Sequence, residues 1–82
     1  MSDETKELMM VMIAGIALDR AMAHEFSEAA AAFETRGATD AAAILRSRAQ
    51  YHRVKALELQ GRVAALADEC DGSIPELFGA DR

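Results

Sequence analysis

Between Thr39 and Cys70 an apolar or small residue recurs in alternating steps of three and four: Ala42, Leu45, Ala49, Ala56, Leu59, Val63, Leu66 and Cys70, with His52 the one polar member of the series. That spacing keeps one stripe of an α-helix turned toward a single neighbour along its whole length. A strand would need a period of two, which the stretch does not show. The chain must therefore contain a long helix and something long to pack against it. What faces His52 decides most of the rest.

The partner is in the first half. Ser2 or Asp3 can cap a helix there, and Asp3, Glu4 and Glu7 sit where the helix dipole is positive. Nothing strong enough to stop that helix appears before Arg36-Gly37. It spans about residues 3–36 and, at about 1.5 Å per residue, roughly 50 Å. Its own stripe reads Leu8, Met12, Gly15, Asp19, Met22, Phe26, Ala29, Phe33. Gly37 is suited to the left-handed conformation that ends a helix, and Thr39 can cap the second helix, about 39–70. So short a link makes the two helices antiparallel neighbours. Beyond them, Asp71-Gly72 turns the chain. Ser73 to Glu76 forms a small capping box, giving a helical turn at about 74–78 whose Leu77 and Phe78 fold back on the bundle end.

Two helices leave one problem unsolved. From Leu8 to Leu18 the first helix is apolar all round, whereas a hairpin partner covers one stripe. In 82 residues, with much of the hydrophobic content in alanine, one copy buries little core. The economical answer is a second copy, giving an all-α homodimer: two hairpins forming an antiparallel four-helix bundle. Leu8, Met9, Met12, Ile13 and Ile16 are the expected dimer contacts, each burial contributing about 1.5–3 kcal/mol. Met9, Met10 and Met12 could suit a soft metal, but packing explains them better.

An antiparallel hairpin turning near Gly37 sets His24 and Glu25 opposite Tyr51 and His52, and Glu28 opposite Arg48. Asp19 then lies beside Ala56 and Leu57. The middle of the bundle thus gathers Asp19, Glu25, Glu28, Tyr51 and His52. Carboxylates bridge hard cations and an imidazole adds a directional nitrogen, so such a set can hold a divalent metal. The simpler reading is a core histidine bonded to Glu25 or to its symmetry mate, or Asp19 and Glu25 at the seam's edge with Arg20 or Lys55 as partners.

The run Glu25-x-x-Glu28-Ala29-x-x-x-Phe33, then Gly37, then Ala43-x-Leu45-x-x-x-Ala49-x-x-His52, resembles the helical hairpin of ferritin-like and rubrerythrin-like proteins over residues 21 to about 60. The resemblance implies that Glu25 (or Glu28) and His52 are ligands for iron or another divalent metal, held across a dimer. The family's second-helix motif is Glu-x-x-His; here Ala49 stands three before His52, so the bridging glutamate is missing.

Charge narrows the classes further. Residues 1–35 have two bases against seven acids, residues 36–62 six bases against two acids, and residues 63–82 one base against five acids. An acidic first half beside a basic middle favours ion pairs inside the hairpin, with Arg48, Lys55 and Arg62 facing the first helix. The net charge of −5 and the lack of interleaved aromatics argue against nucleic-acid binding. The apolar run is too short to span a bilayer, and its acidic lead-in is unlike a secretory signal, so a cytoplasmic location is expected. A single cysteine, Cys70, forms no internal disulfide. No phosphate loop, nucleophile elbow or His-Glu-x-x-His motif occurs, which points away from an enzyme. The expected function is a small dimerisation and protein-interaction module, an adaptor or regulatory subunit, contacting a partner through the bundle surface or the Leu77-Phe78 tail. The alternative is a degenerate ferritin-like metal binder using Glu25, Glu28 and His52.

Overall fold

The computed structural model describes residues 2–69, and the segment 74–78 lies outside them. Two helices, α1 (Asp3–Thr35) and α2 (Thr39–Glu69), pack side by side as an antiparallel hairpin. Among the described residues there is no strand, and no helix is long and apolar enough to cross a membrane.

Each helix end has a local cause. Ser2 is the N-cap of α1: its hydroxyl accepts the Thr5 N–H at 3.1 Å, while Asp3 and Glu4 occupy the first turn. At the other end Gly37 has φ of +81°, which only glycine adopts without strain. The Gly37 N–H reaches the Glu34 carbonyl and the Ala38 N–H reaches the Phe33 carbonyl, both at 3.0 Å. These are the paired bonds of a Schellman motif, and they reverse the chain within Arg36–Ala38. Thr39 is not the cap of α2, contrary to expectation. The Ala42 N–H bonds to the Ala38 carbonyl, which makes Ala38 the cap residue and Thr39 the first helical one.

The α2 stripe is as the spacing requires: Ala42, Ala49, Ala56 and Val63 are buried, with Leu45, His52, Leu59 and Leu66 half-buried between them. Cys70 lies outside the described residues. On α1 the expected stripe is right at every second position and one residue off at the others. Met12, Asp19, Phe26 and Phe33 face α2, but they alternate with Met9, Ile16, Ala23 and Ala30 rather than with Leu8, Gly15, Met22 and Ala29. One residue is about 100° of rotation. Both sets are apolar or small, so period alone does not choose between them. The chosen set places Met9 and Ile16 with Ala56 and Val63 in the core at the open end. Met9 is fully buried within one chain, so it offers no area to a second copy.

Gly15 lies beside the interface. A Cβ there would stand 3.1 Å from Leu59 Cδ1, so the small residue lets α2 approach α1 closely.

Candidate functional site

The polar centre of the hairpin is a pair. Asp19 Oδ1 and His52 Nδ1 lie 2.7 Å apart, one from the middle of each helix. Asp19 is buried, and the His52 side chain is 19% exposed. A carboxylate only accepts, so the proton between them sits on Nδ1, and a neutral imidazole then carries its lone pair on Nε2. Two aromatic rings pack against the imidazole. Phe26 stacks on it at 5.7 Å with 16° between planes, and Tyr51 meets it edge-on at 5.2 Å and 77°. No buried polar side-chain atom lacks a partner among the described residues, and Nε2 bonds none of them, so it reaches the surface.

The histidine is thus satisfied by Asp19, not by Glu25. Asp19 is on the stripe that faces α2, with Met12 and Phe26, whereas Glu25, one residue before Phe26, is turned about 100° off it; His24, Glu25 and Glu28 are exposed. Glu28 is about 200° round the helix from Phe26, on the side away from α2. The set Glu25, Glu28 and His52 therefore does not meet within one chain. Among the described residues no three metal-capable side chains converge at all.

The basic residues divide differently from the sequence expectation too. Arg46, not Arg48, bridges the helices: its Nη2 lies 2.6 Å from Glu34 Oε1. Arg53 donates to Ser27 Oγ at 2.8 Å on the same side. Arg48, Lys55 and Arg62 make no ion pair with another described residue; Lys55 instead sits 5.5 Å from the centre of the Tyr51 ring.

The hairpin therefore has two unlike flanks. One carries the Glu34–Arg46 and Ser27–Arg53 contacts and, toward the open end, an apolar groove between Ile13, Ala17 and Arg20 of α1 and Val63, Ala64 and Ala67 of α2. The other borders the Asp19–His52 pair. There α1 presents a second line in steps of three and four: Leu8, Val11, Gly15, Leu18, Met22. α2 adds Ile44, Arg48, Tyr51 and Lys55 in the same kind of steps. Leu8 is 51% exposed, Val11 68%, Leu18 64% and Ile44 64%. The sequence signal for this line was the all-round apolar run, but of the expected dimer contacts only Leu8 lies on it: Met9 and Ile16 are in the core, Met12 packs against it, and Ile13 lines the groove on the other flank. Compared with family models, curated proteins and solved structures, the chain matches none.

Proposed function

We propose that the protein is a helical protein-interaction module that works as a homodimer, with the second hairpin packed on the Leu8–Val11–Leu18 flank. The observation behind this reading is that flank itself. A contiguous apolar line on α1 is left in water by α2, and such patches mark interaction surfaces. Covering Leu8, Val11, Leu18 and Ile44 would contribute about 1–2 kcal/mol each, because they start only half to two-thirds exposed. Charge agrees: the same flank carries Arg48, Lys55 and Arg62 without ion-pair partners among the described residues, and Glu25 and Glu58 exposed beside them. A two-fold axis would let each set meet the other. The dimer then serves as an adaptor or regulatory subunit, its remaining surface turned to other proteins.

The test is sedimentation of the wild-type chain and of Leu18→Glu. A wild-type dimer that becomes a helical monomer in the variant supports the reading. A monomeric wild type, or a variant dimer as tight as the wild type, removes it.

One observation favours a second reading, a ferritin-like metal site formed only across the dimer. A carboxylate that fixes Nδ1 is the usual support for a histidine that ligates through Nε2. His52 has that support, opens on the dimer flank, and has Glu25 on the same side of α1. Native mass spectrometry after ferrous iron tests it. One or two metal ions per dimer, lost in His52→Ala while the dimer persists, would establish a site; a metal-free dimer ends this reading.

A further inference from the structure

The groove on the opposite flank has a different origin and, we infer, a different occupant: the chain's own residues 73–78. Three alanines make the groove. Ala17 on one helix and Ala64 and Ala67 on the other leave a trough of about 620 Å³ between the larger Ile13 and Val63. The trough is apolar along its floor and charged at its two ends, with Arg20 toward the middle of the hairpin and Asp68 near the end of α2.

The position of the following chain selects the occupant. α2 runs to Glu69, two residues past Ala67 in the groove wall, so the next segment starts beside the trough. Asp71-Gly72 is a turn signal, and after it come Ile74, Leu77 and Phe78, apolar residues spaced three and four apart on one helical face. From Asp68 back to Gln60 the groove covers about 12 Å of α2. Eight residues beyond Cys70 reach about 12 Å as helix and about 26 Å when extended, so Phe78 can lie anywhere along the floor. Charge matches in the same direction. Arg20, at the far end, makes no ion pair with another described residue, and the segment carries Glu76 beside Leu77. Docking there places Leu77 and Phe78 on Ala17, Val63 and Ala67, and Glu76 toward Arg20. On the proposed function a second copy uses the other flank, so the two occupants would not compete.

Nuclear Overhauser contacts in the full-length protein test the assignment. Cross-peaks are expected from the Phe78 ring to the methyl groups of Ala17, Val63 and Ala67. A mixture of isotope-labelled and unlabelled chains separates contacts within a chain from contacts between chains. Absence of these cross-peaks, or their presence only between chains, overturns the assignment. A second measurement avoids reliance on resolved peaks. With Cys70 replaced by serine, a cysteine at position 17 (Ala17→Cys) should react with a maleimide at least several-fold faster when Leu77 and Phe78 are both changed to aspartate. Equal rates would show that the segment does not cover the groove. Sedimentation of both proteins should be unchanged, which keeps this result separate from loss of the dimer.

Discussion

Asp19 and His52, 33 residues apart in sequence, meet across the middle of the helix interface at 2.7 Å and are the polar layer of an otherwise apolar or small-residue stripe. A buried pair of this kind is costly to split and much less costly to remove whole. Asp19→Ala leaves the Nδ1 proton of His52 facing a cavity and should lower stability by about 1–3 kcal/mol. The double replacement Asp19→Leu with His52→Leu should be neutral or stabilising by up to about 4 kcal/mol, because a packed apolar layer needs no desolvation of charge. Urea denaturation of wild type, Asp19→Leu, His52→Leu and the double variant closes the cycle. If the two single losses simply add in the double variant, the residues are not coupled, and the pair is not what holds this layer.

Two glycines should respond in opposite directions. Gly61 is exposed inside α2, and a Cβ there meets nothing within 4 Å. Gly61→Ala removes the helix penalty of glycine and should add about 1 kcal/mol. Gly37 also has open space around it, but its φ is +81°. Gly37→Ala should therefore cost about 1–2 kcal/mol for the left-handed backbone alone. Thermal melts of the two variants on either side of the wild type are the expected result. The same sign in both would contradict the conformation given to the Schellman turn.

The α2 stripe could be read from sequence because its neighbours are unambiguous. Arg46, Arg53 and Glu58 belong in water, and their positions leave only one face for the interior. Rotation of α1 could not be read the same way. Leu8 to Leu18 has no polar face to exclude, so the lines through Leu8 and through Met9 both look like cores. The site turns on something else: level along the hairpin sets Glu25 against His52 and Glu28 against Arg48, but a contact also needs facing sides, so Asp19 reaches His52 and Glu34 reaches Arg46. The turn was legible in full at Gly37, where backbone geometry leaves no alternative, and wrongly at Thr39, where a good capping residue stands one position too late.

That late threonine gives a prediction of its own. Ala38 occupies the cap position of α2, and its methyl group accepts no hydrogen bond. Its own N–H is already bonded to Phe33, so a new side chain need only serve the first turn of α2. Ala38→Asp supplies an acceptor for an unpaired N–H there and a negative charge at the helix N-terminus. It should raise stability by about 0.5–2 kcal/mol, read as a higher urea midpoint at unchanged slope. A lower midpoint would mean that α2 starts elsewhere.

The two basic lines of α2 should have separate jobs. Arg46 pairs with Glu34, but both side chains are 51% exposed, and ion pairs of that kind contribute about 0–1 kcal/mol. Arg46→Ala should barely change stability and should leave self-association untouched, because it lies on the groove flank. Lys55 lies on the flank assigned to the second copy, against the Tyr51 ring and without an ion-pair partner among the described residues. Lys55→Glu should weaken the dimer while the helical signal stays constant, since it sets an acid against Glu25 or Glu58 of the other hairpin. Adding Glu25→Lys to Lys55→Glu should recover part of the loss, and the recovery should shrink at high salt. Sedimentation equilibrium at low and high ionic strength measures all three proteins. Weaker association in Arg46→Ala than in Lys55→Glu would put the second copy on the groove flank instead.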